Sequence, residues 1–226
     1  MTLDEVIRLR RSVRGYLPRP VPRETIRAVF EHAQWSPSNC NIQPWVPHVV
    51  SGARLRALGR AMIDAAGEQV PYAPDFEARS SYPGVYRERQ VDAARRLYGA
   101  MGVARDDRAG RDAAYHRNLD AFGAPHAVFV FMHEPFGARE ATDVGMWAQT
   151  LMLLLASRGI ASCAQGALAL YPPIVRRHLG LDETHRLMLG IAFGYEDAAV
   201  AANSARTARV PLDEAVVFHD DTPGGA

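Results

Sequence analysis

The sequence predicts a single α+β domain, and three observations carry that expectation. Helical and strand patterns mix along the chain without the strict βαβ alternation of a parallel-sheet fold. "HAVFVFMH" (126–133) is a continuous apolar run of strand length, of the kind found at the centre of a sheet. "VGMWAQTLMLLLAS" (144–157) is apolar nearly all round and must be buried on most sides. The 226 residues suffice for a sizeable core, and no repeat or low-complexity segment divides them.

The elements follow in order. "LDEVIRLRRS" sets Leu3, Val6, Ile7 and Leu9 at helical spacing behind Thr2 and Asp4, predicting a short helix that ends near Ser12. "LPRPVP" reads as an extended connector, because each proline biases its predecessor away from helix. A second helix starts at Pro22 or Arg23, turns Ile26, Val29, Phe30 and Ala33 inward, and stops at Pro37. "WVPHVVS" (45–51) is a strand that Pro47 confines to an edge or a strand start. Residues 52–67 read as helix. From about 71 to 112 the pattern loosens into Pro-, Ser- and Tyr-rich and charged stretches around a helix near 85–100. That excursion is either a lid or a peripheral insertion. After the 126–133 strand, "REATDVGMWAQTLMLLLASRG" is a helix closed by Gly159. "PPIVRRHLG" is a short helix opened by proline and closed by glycine, and "HRLMLGIAFGY" is a strand.

Charge and composition exclude several classes. Lys and Arg number 26 against 25 Asp and Glu, a balance of +1, which argues against general nucleic-acid binding. The two cysteines, Cys40 and Cys163, form neither a disulfide framework nor a metal-ligand spacing, and a reducing compartment is the simple reading. The N-terminus lacks the apolar core of a secretory signal, and the most apolar run falls short of the roughly 20 residues of a membrane helix. A cytoplasmic protein with no membrane partner is expected. The 8 histidines show no HxxxH or HExxH spacing, so no metal site is expected. No GxSxG, Walker or dinucleotide-binding glycine motif is present.

Four stretches can carry chemistry. "RRSVR" packs Arg10, Arg11 and Arg14 around Ser12. Arginine's planar fork suits a phosphate, and the hydroxyl adds a donor; a solvated basic helix end is the alternative. "WSPSNCNIQPW" sets Ser36, Ser38, Asn39, Asn41 and Gln43 between two tryptophans. Its neutral donors and acceptors suit a heterocycle edge or a polyol, or a turn-rich helix exit. "GIASCAQGALALYPP" (159–173) offers small residues that admit a flat ligand, with Gln165 and Gly166 as amide donors, or simply close helix packing. "NSARTARVPL" (203–212) returns two arginines, in a binding or merely solvated loop.

Taken jointly and in order, "RRSVRGY", "SPSNCNIQPW", "GAPHAVFVF", "GIASCAQGALALYPPIVRRHLGL" and "LGIAFGYEDAAVAANSARTARVPL" resemble the FMN-dependent nitroreductase family over most of the chain; residues 71–112 do not align. The resemblance implies a nitroreductase-like fold: a mixed central sheet flanked by helices, and an intertwined homodimer with FMN sites at the subunit interface. By the same resemblance Arg10, Arg11 and Ser12 serve the FMN phosphate and ribityl chain, and Arg14 the pyrimidine edge. Pro37, Ser38, Asn39 and Asn41 approach the flavin from the partner chain, with Gln43 in the same motif and Trp45 as packing. Gln165 and Gly166 lie over the ring, and Arg206 and Arg209 close the phosphate grip. Thr207 replaces a lysine found in some relatives, and Asn118 falls where relatives can supply a flavin-contacting Asn.

The activity implied is ping-pong reduction of nitroaromatic or quinone acceptors by NADH or NADPH, the nicotinamide binding only transiently over the flavin. No protein side chain is required as a catalytic acid. Other flavin chemistries on this fold (dehalogenation, dehydrogenation of peptides or natural products, flavin fragmentation) remain open; Tyr72, Phe76, Tyr82, Tyr86 and Arg87 would then determine specificity. A non-enzymatic anion or nucleic-acid binder built on the RRSVR patch is the third reading, and the near-neutral charge counts against it.

Overall fold

The computed structural model describes residues 1–77 and 79–219. A four-stranded sheet in the order β1-β2-β4-β3 lies at the centre: β1 (Val46–Ser51), β2 (His126–His133), β3 (Ala161–Gln165) and β4 (His185–Gly194). All strand pairs are antiparallel. The parallel component of the expected mixed sheet comes from the N-terminal arm, where Ser12 bridges Ser162 in parallel and Val13 N–H donates to the Ser162 carbonyl at 3.1 Å.

Alternation along β2 builds two cores, one on each face of the sheet. Ala127, Phe129 and Phe131 face α3 (Gly52–Gly67), α5 (Arg108–Leu119) and α7 (Pro172–Leu179). Val128, Val130 and Met132 face α2 (Arg23–Ala33) and α6 (Ala138–Ala156). The strand is buried on both sides, which is why it reads as an uninterrupted apolar run. Trp45 stacks on Trp147 of α6 with ring centroids 6.2 Å apart, a packing role as expected. Toward α6's C-terminus Met152, Leu153 and Leu154 are only half-buried, and Met146 is exposed.

The first helix, α1 (Leu3–Leu9), is shorter than its sequence pattern suggests. A capping box between Thr2 and Glu5 starts it. It stops at Leu9 because Arg10 turns extended (φ −59°, ψ 122°), freeing Ser12 to join the sheet edge. The α7 helix opens on Pro172 and closes on Gly180 at φ 75°, a conformation that glycine adopts without Cβ strain.

The 71–112 excursion contains α4 (Gly84–Ala100), on which no residue is buried, and leads into α5, which the sequence pattern did not foretell. Its first stretch is strapped down at Asp75. The Asp75 carboxylate accepts from Arg176 Nη1 at 2.6 Å and from Leu187 N–H at 2.7 Å, and Arg186 lies over the Phe76 ring. A short α8 (Leu212–Ala215) precedes the end of the described chain. No helix among the described residues is long and apolar enough to cross a membrane.

Candidate functional site

The N-terminal arm, residues 10–17, runs along the β3 edge of the sheet and then across its end. Tyr16 bridges Glu196, and Leu17 N–H donates to the Tyr195 carbonyl at 2.8 Å. The arm carries its three arginines into different surroundings. Arg11 is paired with Glu196, its Nη2 lying 2.6 and 2.5 Å from the two carboxylate oxygens. Its Nη1 is buried without a partner among the described residues, as is Ser162 Oγ. Both residues line a cavity of about 200 Å³ together with Arg10, Gly159, Ile160 and Glu196. Arg10 is half-buried and forms no ion pair within the described residues.

Arg14 and Arg10 both bear on Cys163, beneath the arm. Burial pushes this thiol's pKa up, opposed by the Arg14 charge, by hydrogen bonding with Ser12 and by the Arg10 charge. Cys163 therefore remains a protonated, apolar filler. The Arg14 guanidinium itself is restrained by one hydrogen bond, to the Ser12 carbonyl at 3.3 Å.

Gln165 ends β3 and is buried. Its Nε2 donates to the Asn118 carbonyl at 2.9 Å, which leaves Oε1 as a buried acceptor without a partner among the described residues. Gly166 follows at the start of a 3₁₀ turn and is exposed. Asn118 presents its carbonyl to Gln165, while its own amide group turns back on Ala114.

The polar loop after α2 lies elsewhere. Cys40, Asn41 and Gln43 adopt left-handed backbone angles (φ 50°, 55° and 48°). Ser38 Oγ accepts from Gln43 N–H at 2.9 Å, and Asn39 N–H donates to the Asp143 carboxylate on α6 at 3.1 Å. Pro37, Asn39 and Asn41 are exposed and Ser38 is half-buried. Within one chain, this loop sits by Asp143 while the arm's cavity sits by Ala156. The stretch of α6 between them spans about 20 Å at 1.5 Å per residue.

Of the two C-terminal arginines, Arg206 is held at Asn203, which is buried next to the arm. Arg206 Nη1 donates to the Asn203 and Ala205 carbonyls. Arg209 turns on Thr207 and Ala208 and borders a cavity of about 510 Å³ shared with Glu88, Arg89, Asp92 and Arg95 of α4. Arg10 and Arg11 border the arm's cavity and Arg209 the cavity beside α4.

Three residues that matter here escaped the sequence reading. Glu196 neutralises Arg11; its only signal was an acid in "GYED". Asp143 anchors the polar loop, and a lone carboxylate entering an apolar helix was a usable sign. Asn203, beside the returning arginines, ties the chain ends together through Arg14, Gly15 and Asp197.

The donor set suits a phosphorylated flavin. Arg10 and Arg14 supply charge that no acid cancels within the described residues, while Arg11 Nη1, Ser162 Oγ and Gln165 Oε1 are buried polar atoms in want of partners. No group of three or more His, Cys, Asp or Glu among the described residues is arranged to hold a metal ion.

Solved structures of this architecture define the class. The FMN-dependent nitroreductase NfnB from Mycobacterium smegmatis, in complex with NADPH, superposes with a TM-score of 0.92 at 42% identity, covering 96% of this chain and 97% of that one. The FMN and NADPH-dependent nitroreductase NfnB from sphigopyxis sp. strain HMH gives a TM-score of 0.93 at 35% identity over 97% of this chain and 100% of that one. A 4-nitrobenzoate reductase from Nocardioides sp. strain LMS-CY is 35% identical over 219 residues, 95% of this chain and 89% of the relative. The family model matches residues 7–195, and the chain belongs to the nitroreductase family.

Proposed function

We propose that the protein is an FMN-dependent NAD(P)H oxidoreductase that reduces nitroaromatic or quinone-type acceptors. The observation that carries this reading is the near full-length likeness to an FMN-dependent nitroreductase crystallised with NADPH. The names of the relatives favour NADPH as donor and a nitroarene as acceptor.

FMN supplies the two-electron carrier between the reduced nicotinamide and the acceptor. The chain's own residues bind and tune it. Arg10 with Ser12 would hold the phosphate and ribityl end, and Arg206 and Arg209 would add their charge at the phosphate. Arg11 spends its charge on Glu196 and so fixes the arm to the sheet rather than carrying the anion alone. Arg14 places a cation at the pyrimidine edge, where it favours the anionic reduced flavin. Gln165 and Gly166 would offer polar groups to the ring.

The functional unit is a homodimer. Pro37, Ser38, Asn39 and Asn41 stand about 20 Å along α6 from the arm's cavity in the same chain. A single flavin then meets the arm of one chain and the polar loop of its partner. The half-buried leucines and exposed Met146 on α6 supply apolar surface for that contact.

The test is direct. The purified protein is expected to be yellow, to release FMN on denaturation, and to oxidise NADPH when 4-nitrobenzoate or a quinone is added. A colourless protein that ignores added FMN would overturn the reading. A yellow protein that turns over every nitroarene and quinone slowly would instead indicate another flavin chemistry on this fold.

A further inference from the structure

Arg14 bears most of the proposed redox tuning, yet its own side chain is loosely restrained. Its backbone is not. The Arg14 N–H donates to Asn203 Oδ1 at 2.6 Å, and its carbonyl accepts from Arg117 Nη2 at 3.1 Å. Asn203 is 4% exposed. Its Nδ2 donates to the Gly15 and Asp197 carbonyls, both at 2.9 Å. Both donors and the acceptor oxygen of the amide are thus engaged, and their pattern fixes which way the amide points. An aspartate there would set an oxygen against two carbonyl oxygens.

Arg117 stands on the last turn of α5, next to Asn118, whose carbonyl holds Gln165. One helical turn therefore grips both Arg14 and Gln165, which reach it from the arm and from β3. That turn lies a few residues past the 71–112 excursion, at the end of α5.

We propose that Asn203 and Arg117 are positioning residues that set where Arg14 stands relative to the flavin, gripping its peptide from both sides. The inference rests on the reading of Arg14 as the cation at the flavin's pyrimidine edge. The one 3.3 Å hydrogen bond on the guanidinium runs to the Ser12 carbonyl of the same arm, so the charge moves with the arm's backbone. Coulomb energy falls with distance, so a displaced backbone weakens the cation's effect on the reduced flavin.

The experiment compares FMN-loaded full-length R14A, N203D, R117A and R117Q, and the double variants with R14A. Three quantities are read: the midpoint potential of the bound flavin, its dissociation constant and the melting temperature. R14A is expected to lower the potential. N203D and R117A are each expected to lower it by about half of that drop or more, and to add nothing once Arg14 is alanine. R117Q keeps an N–H donor without the charge and is expected to stay nearer wild type than R117A. Drops that add fully to that of R14A would overturn the proposal, because the residues would then act independently. So would a lower melting temperature with the potential unchanged, which marks a purely structural role. R117Q matching R117A would show that the Arg117 charge, not its grip, matters. If R14A itself moves neither potential nor affinity, the reading of Arg14 falls and the proposal with it. Should N203D fail to fold, the Arg117 variants decide the question alone.

Discussion

Asp143→Ala should loosen the polar loop while leaving the fold nearly as stable. Cys40, Asn41 and Gln43 all sit in the left-handed region. At roughly 1 kcal/mol each, they hold about 3 kcal/mol of backbone strain. The bonds from Gln43 to Ser38 and Asn41 lie within the loop and move with it. The Asn39 N–H to Asp143 bond ties the loop to α6. Such a charge-assisted bond contributes about 1.5–3 kcal/mol. Removing it lowers the free energy of loop opening by about 2 kcal/mol, which speeds local amide exchange roughly 30-fold. Global stability changes less, because the substitution also removes a buried carboxylate and its desolvation cost. A roughly 30-fold gain in exchange leaves the loop closed at least half the time, so even where the flavin requires the anchored loop, apparent FMN affinity weakens by no more than about twofold. Asp143→Asn keeps an acceptor without the charge and is expected to raise local exchange only about threefold. Hydrogen exchange of residues 36–45, read beside an FMN titration, measures both effects. Unchanged exchange in that segment, or a rise spread evenly over the molecule, would refute the assigned anchor.

Three further expectations follow from particular contacts. His126 accepts the Val21 N–H on Nε2 at 2.9 Å, so Nδ1 carries the proton that faces Ser51 Oγ at 2.7 Å; burial lowers its pKa from 6.5. A depressed folded pKa means stability is full above about pH 6.5 and is lost as pH falls through the folded value. Thermal melts from pH 7.5 to 5 should therefore decline, and His126→Gln should flatten the decline; equal slopes would contradict this. Asp75→Ala strands Arg176, whose side chain is only 11% exposed. The expected cost is about 3 kcal/mol, a fall in melting temperature of roughly 6–12 °C, with Asp75→Asn losing less because it can still meet Leu187 N–H. Arg209→Ala should weaken FMN retention without moving the flavin's potential, which equilibrium dialysis and dye titration separate; a shifted potential with unchanged retention would reverse the roles given to Arg209 and Arg14.

The parts of the fold that rest on continuous pattern were legible in the residues. β2 and α6 announce themselves by apolar runs, α3 by its spacing, and α7 by proline at one end and glycine at the other. β3 was not legible. "ASCAQ" is small and polar with little strand preference, and its state comes from pairing with β4 along its whole length. The α5 helix was missed for a related reason: its exposed faces are charged, and only Ala114 and Leu119 are buried. The arginines and the polar loop could be found by residue type. Asp143 left only the sign of a carboxylate entering an apolar helix, and Asn203, Glu196 and Arg117 left none, because each acts by hydrogen bonds or charge pairing across more than a hundred residues.

A crystal structure of the FMN-loaded protein measures the main proposition at its source. The density is expected to show the phosphate between Arg10 of the arm and Arg209 of the tail, Arg14 at the pyrimidine edge, and the partner's 37–41 loop over the same ring. Flavin density away from the arm, or a phosphate that no arginine from either end of the chain approaches, would contradict it.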